Sequence, residues 1–309
     1  IKPDCIHTLK MQPYGYQVLA ARELLGGELP APWIYSSWGR DTAMYRHHAD
    51  NLPTLQAVMS SIDYYIADTQ RDVPIAYELG FQGEFLGVYP GSGGFDLTAM
   101  NGFRQPGPTS ARRKIAVKGY QTDDGGQVMT ALRALRCVSD LLNDYTIVVQ
   151  GGIGTYGGRN YTQVRQLADE IMSETQMRIE FLPFVPQEQI WELFGSARIG
   201  LSISRSDGTP VTMLEWIIMG AFPIESDTGG PGEWVQSGIN GDIVPFDNID
   251  KIAAALRRAL QEDQMVDHAS QLNAQIARER LDREVIRPRV IDIYQQIVTK
   301  HQQRIHRYS

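Results

Sequence analysis

The sequence predicts an α/β protein built from two doubly wound, Rossmann-like parallel-sheet units, and three observations lead there. Short apolar runs alternate with amphipathic stretches of helical length along most of the chain. Turn residues or polar stretches follow those runs, as expected where strands end in loops. The alternation also halts once, near residue 97, and then restarts. Alternating β and α segments build a parallel sheet covered by helices on both faces.

The first unit starts abruptly. Asp4-Cys5-Ile6-His7 reads as the end of a strand, with nothing before it to complete a sheet. Further strands are predicted at Trp33-Ile34-Tyr35, Tyr64-Tyr65-Ile66-Ala67 and 85–89, with helices over 16–25, 51–61 and 73–79. Three or four strands make a thin sheet, so an incomplete N-terminal domain is expected. Residues 97–113, rich in Gly, Pro, Ser, Thr and Arg, read as a linker. Strands then follow at Ile115-Ala116-Val117, 145–149, 179–182, 199–202, Phe222-Pro223-Ile224 and Ile243-Val244-Pro245. Helices are predicted over 127–142, 161–173, 210–219, 248–261, 264–277 and 283–304. The expected domains are 1–110, 111–281 and a C-terminal helix at 282–309 crossing back to the first. A ligand cleft is expected between the domains, at the carboxyl ends of the strands.

Composition narrows the function. The 309 residues carry a formal net charge of -7, which argues against a broad nucleic-acid surface. Two cysteines, Cys5 and Cys137, and six histidines show no metal-ligand spacing. No apolar run is long enough to cross a bilayer and no signal peptide opens the chain, so a cytoplasmic setting, free or at the inner face of a membrane, is expected.

The most informative stretch runs from Ser204 through Asp207-Gly208-Thr209-Pro210-Val211-Thr212 to Glu215. It reads as a strand end, a glycine turn and a helix start, with Thr209 as N-cap and Pro210 as the first helical residue. First-turn amides and the helix dipole form an anion site suited to a diphosphate. Asp207 before the cap and Glu215 within the helix are placed to accept hydroxyls, one from a sugar and one from a ribose.

This arrangement resembles the donor site of retaining family 4 glycosyltransferases with the GT-B fold. Asp207 and Glu215 are separated by seven residues, then come Gly220-Ala221-Phe222-Pro223, Ser226-Asp227-Thr228-Gly229-Gly230, Glu233 and Gly238-Ile239-Asn240-Gly241. Pro3-Asp4-Cys5-Ile6-His7, Trp38-Gly39-Arg40-Asp41 and 90–96 resemble acceptor-side landmarks of that family more weakly. The resemblance implies transfer from a UDP-, GDP- or ADP-linked sugar to a glycan, lipid-linked or protein acceptor. It implies retention of anomeric configuration and neither metal nor resident cofactor. By the same resemblance, Asp207 binds donor-sugar hydroxyls, Glu215 holds the ribose, and the amides of Thr209, Val211 and Thr212, with Gly208 in the turn, meet the phosphates. Gly119, Tyr120 and Gln121 follow the first strand of the donor domain. Gly151 and Gly152 line its glycine loop, and Phe184 and Val185 lie by the base. Tyr120 stands where the family has Arg, and Gly125-Gly126 where it has Lys-Gly, leaving Lys118 or Arg205 to supply charge. Trp38 replaces an active-site His, leaving Asp41 and His7 as the nearest polar candidates.

Two other classes remain open. The departures at Tyr120, Pro210 and Trp38 fit a non-catalytic nucleotide-sugar-binding module. Gly152-x-Gly154-x-x-Gly157, with Glu180 on the following strand, spells a dinucleotide fingerprint and points to an NAD(P)-dependent oxidoreductase. The bland alternatives are a backbone-satisfied His7, a solvated helix start at His47-His48 and Asp50, and a turn at Gly93-Gly94 and Asp96. Core roles are expected for Trp191, Trp216 and Trp234. Arg112-Arg113-Lys114 reads as a solvated linker, with contact to an anionic lipid surface as its other reading.

Overall fold

The structure, a computed structural model, describes residues 2–119, 126–151 and 161–308. The chain forms two compact units, Ile1–Gly94 with Arg283–Ser309, and Phe95–Asp282. Elements are numbered in chain order.

The first unit is a four-stranded parallel sheet in the order β1 (Ile6–Leu9), β2 (Trp33–Ser36), β3 (Tyr64–Ala67), β4 (Glu84–Val88). Helices α1 (Tyr16–Leu24), α2 (Leu52–Met59) and α3 (Asp72–Glu78) make the crossovers. Strand alternation separates two faces. Trp33, Tyr35, Tyr65 and Ala67 pack with Leu55, Val58 and Met59 of α2. Ile34, Tyr64 and Ile66 lie on the other face with Ile297 of the long C-terminal helix Arg283–Tyr308.

The second unit begins earlier than the sequence suggested, because residues 97–113 are not a solvated linker. Asp96 caps a short helix α4 (Leu97–Asn101), its carboxylate accepting from the Ala99 amide at 2.9 Å. Thr109 donates to the Gly220 carbonyl at 2.8 Å, and Ser110 binds the Asp267 carboxylate through both its amide and its hydroxyl. Arg112, only 1% exposed, donates to the carbonyls of Ala197 and Met219. Those carbonyls sit at helix ends, where intrahelical donors run out. The segment is polar because it satisfies buried backbone, which composition alone does not reveal.

Its six parallel strands are β5 (Lys114–Lys118), β6 (Thr146–Gln150), β7 (Arg178–Leu182), β8 (Ala197–Ser202), β9 (Phe222–Ser226) and β10 (Asp242–Val244). In space they run β7-β6-β5-β8-β9-β10. The helices are α5 (Val128–Arg136), α6 (Tyr161–Glu174), α7 (Gln187–Ser196), α8 (Val211–Met219), α9 (Ile249–Gln261) and α10 (Asp263–Arg280), after which α11 (Arg283–Tyr308) belongs to the first unit. The helix expected over 127–142 stops at Arg136, and Ser139–Leu141 forms a separate 3-10 turn. Ile115, Val117, Ile147, Val149, Ile199 and Leu201 face one core, while Ala116 and Val148 face the other.

This strand order reverses between β5 and β8. Strands on either side of that point send their following loops in opposite directions, which opens a crevice at their carboxyl ends. The Asp207–Glu215 stretch leaves the sheet there. Among the described residues no helix is long and apolar enough to cross a membrane.

Candidate functional site

Helix α8 is set tightly against the sheet. A Cβ on Gly200 would lie 2.1 Å from the Trp216 ring, so the glycine lets the indole pack directly on β8. All residues of α8 except Val211 are buried, and Gly220 closes the helix at φ 74°, a left-handed position that suits glycine. The N-terminus differs by one residue from the sequence expectation. Pro210, not Thr209, is the N-cap, and its carbonyl accepts the first helical bond, from Leu214 at 3.2 Å. The cap proline lacks one donor, so the helix opens on the amides of Val211, Thr212 and Met213.

Glu215 is a carboxylate inside an otherwise apolar helix, and α7 supplies its partners. Gln187 Nε2 and Trp191 Nε1 both donate to Oε1, at 2.6 and 3.1 Å. Both bonds end on one oxygen, Oε1. Burial raises the Glu215 carboxyl to about 7, against the opposing pull of the Trp191 and Gln187 bonds. Trp191 is therefore more than core, and Gln187 was not singled out from the sequence. The signal for both was weak, since α7 itself was not predicted.

Asp207 lies at the opposite edge of the same turn. Lys118, the last residue of β5, meets its Oδ2 at 2.8 Å, and the Gly208 amide donates to its Oδ1 at 3.0 Å. The Lys118 side chain is 5% exposed and that of Asp207 20%. Ser226 anchors the turn from beneath, accepting from the Ser204 amide at 2.8 Å and donating to its carbonyl at 2.7 Å.

The remaining donor-side residues are spread around these two carboxylates. Gly208 and Thr209 are buried in the turn. Arg205 is exposed, its guanidinium 5.6 Å from the Phe246 ring centroid, so Lys118 is the cation held at the Asp207 carboxylate. Gly119 donates to Gln150 O at 2.7 Å, and a Cβ there would sit 2.4 Å from Val149 Cγ1. Gly151 donates to Leu182 O, Phe184 is 84% exposed, and Val185 packs against the core around α8. Tyr120, Gln121 and the Gly152-x-Gly154-x-x-Gly157 stretch lie outside the described residues.

In the first unit, His7 is held by side chains rather than backbone. Its Nδ1 meets the Tyr294 hydroxyl at 2.5 Å and its Nε2 the Ser36 hydroxyl at 2.8 Å. Burial lowers it to about 4, so the ring is neutral near pH 7. Asp41, 2% exposed, accepts from the Met11 amide at 2.7 Å and from the Tyr35 hydroxyl at 2.9 Å. Burial raises it to about 7. Trp38 is half exposed on the loop after β2.

Comparison with known proteins agrees with this fold. Residues 127–277 match the family model described as glycosyl transferases group 1. No curated protein sequence matches the chain. Among solved structures, sucrose-phosphate synthase from Thermosynechococcus elongatus superposes with a TM-score of 0.78 at 15% identity, over 96% of this chain and 74% of that one. Anabaena HepE, solved with UDP and glucose, gives 0.73 at 18% identity, over 95% and 78%. A UDP-forming trehalose-phosphate synthase from Burkholderia xenovorans gives 0.72 at 15% identity, over 96% and 74%. The chain has the GT-B glycosyltransferase fold, and within it residues 127–277 match the glycosyl transferases group 1 model.

Proposed function

We propose that the chain is a retaining, metal-independent glycosyltransferase that takes its sugar from a nucleoside-diphosphate donor. The observation behind this reading is the pairing of Asp207 and Glu215 around the N-terminus of α8, at the point where the strand order reverses. The nucleoside diphosphate lies along that helix start, with the phosphates on its first-turn amides. Glu215 takes the ribose diol on Oε2, while Gln187 and Trp191 fix Oε1. Asp207 takes hydroxyls of the donor sugar.

The helix amides and the Lys118 ammonium stabilise the charge that develops on the leaving diphosphate. This is an electrostatic task performed by groups already in place. It calls for no covalent intermediate. HepE was solved with UDP, which makes UDP the first nucleotide to try. A glycan, lipid-linked or protein acceptor completes the reaction.

A thermal-shift series with UDP, GDP, ADP, their sugar conjugates and NAD(P), run beside Glu215→Ala, tests the reading. A ligand at about one hundred times its Kd stabilises a fold by roughly 2.7 kcal/mol. Stabilisation by one nucleotide, lost in Glu215→Ala, supports the donor site. Stabilisation by NAD(P) alone sinks it. Proton NMR of the first-formed product then distinguishes retention from inversion. Nucleotide binding without turnover on any acceptor would instead favour a binding module, for which the Lys118–Asp207 ion pair already supplies a neutralised site.

A further inference from the structure

Glu225 ends the same row of strands as the donor site and has no role in the reading above. In the β8–β9 register Glu225 pairs with Ser202, and one step beyond the Val117↔Leu201 pair lies Lys118 beside Ser202. Lys118, Ser202 and Glu225 thus stand side by side at the carboxyl ends of β5, β8 and β9. Glu225 is 1% exposed, and its Oε1 is buried without a hydrogen-bond partner among the described residues. The next residue, Ser226, is the one that anchors the turn carrying Asp207.

Two carboxyl groups therefore lie within the electrostatic reach of the Lys118 ammonium. The described bond from Lys118 goes to Asp207, the more exposed of the two acids. We propose that Glu225 is a positioning residue of the donor site, which as a neutral carboxylic acid leaves Lys118 on Asp207 and as a carboxylate draws Lys118 away, weakening the hold on a nucleoside diphosphate. This inference rests on the donor-site reading of Asp207 and α8.

The direction follows from the surroundings. A buried carboxylate with a bare oxygen is strongly disfavoured unless a cation pairs with it. Burial raises the Glu225 carboxyl to about 8; Lys118 and the Ser202 side chain oppose that rise, and Asp207 adds to it. Lys118 from β5 and Asp207 from the β8–α8 turn are the charged groups acting on it. On β10, Ile243 is its register partner, and Asp242 is turned to Arg258 of α9. By strand alternation Glu225 shares a face with Ala116 and Ile243, the face on which Met213, Leu214 and Ile217 of α8 and Ala277 of α10 pack, and Glu215 of α8 bonds to α7. A bound diphosphate adds negative charge nearby, so binding and protonation of Glu225 reinforce each other.

Calorimetric titration with UDP from pH 6 to pH 9.5 tests this, with GDP and ADP in parallel. The ratio of wild-type to Glu225→Gln Kd should stay level to about pH 7.5 and then rise, by up to roughly tenfold per pH unit above 8, while the titration of Glu215, common to both chains, cancels in that ratio. Glu225→Gln, which fixes the uncharged form, should itself show no alkaline rise in Kd between pH 7.5 and pH 9. As a check that needs no variant, wild-type binding at pH 8.5, measured in two buffers of different ionisation enthalpy, should take up a fraction of a proton. An alkaline rise that persists unchanged in Glu225→Gln, or binding without proton uptake, overturns the role of Glu225 while leaving the donor site standing. No binding of any of the three nucleotides at pH 6 to 7 overturns both.

Discussion

The Trp191 indole donates to Glu215 at 3.1 Å, so a residue of α7 holds in place the one carboxylate of α8. Because that bond favours the charged form of Glu215, removing it should push the carboxyl above its present value of about 7. Trp191→Phe should raise the Glu215 midpoint, read from its side-chain carbonyl 13C shift. It should also weaken nucleotide binding at pH 7 by about fivefold or more, the worth of one lost hydrogen bond. An unmoved midpoint would show that the indole does not govern the carboxylate.

Replacing Glu215 itself separates support from binding. Glu215→Ala strands two donors, from Gln187 and Trp191, and opens a void in a buried helix. That combination should cost about 2–4 kcal/mol of stability, measured by denaturant unfolding. Glu215→Gln keeps the shape and should be nearly neutral for stability, yet weaken nucleotide binding about tenfold or more through loss of a charged acceptor. Wild-type affinity in Glu215→Gln would remove the carboxylate from the ribose site.

Stability should fall from about pH 4 to pH 8, because three raised carboxyls outweigh one lowered histidine over that interval. Asp41, Glu215 and Glu225 have folded values raised by burial to about 7, 7 and 8, from ordinary values near 4. Their folded forms hold protons that the unfolded chain releases. Their contribution is therefore complete below about pH 4 and is lost as pH rises through 7 to 8. His7 acts in the other direction. Its lowered value of about 4 means that stability is lost as pH drops below its ordinary 6.5. Calorimetric scans should show the Tm falling by about 5 °C or more between pH 5.5 and pH 8.5. The double change Asp41→Asn with Glu225→Gln should flatten that limb, and an unaltered slope would contradict the assignment.

Gly200 offers a test of helix position rather than of charge. Gly200→Ala places a methyl 2.1 Å from the Trp216 ring and must lift α8 from β8. Overpacking of this kind should cost about 1–3 kcal/mol. Because α8 carries Glu215 and the first-turn amides, nucleotide binding should weaken as well. A variant that loses stability but binds normally would show that the helix position is not critical.

Much of this architecture was legible in the sequence because apolar runs of strand length are hard to mistake inside a parallel sheet. The strands at Ile115, Ile147, Ile199 and Phe222 were read directly from such runs. The Asp207–Glu215 turn was legible from its glycine and proline punctuation, though the cap lay one residue later than expected. Arg112 was misread because a buried arginine serving carbonyls has the same local composition as a solvated one. Gln187 and Glu225 escaped for a related reason. Each matters through a partner brought close only by sheet order, and strand order is not written in local spacing. The side-chain partner of His7 escaped in the same way, since Tyr294 lies 287 positions away.

That separation also bears on how the molecule is made. The second unit is one continuous stretch, complete once residue 282 has been synthesised. The first unit must wait for Ile297 and Tyr294 of α11 to cover Ile34, Tyr64 and Ile66. Synthesis proceeds from the N-terminus at about 5–20 residues per second. The unit whose strands are synthesised earlier is thus the one that finishes folding later, with Ile34, Tyr64 and Ile66 uncovered in the interval.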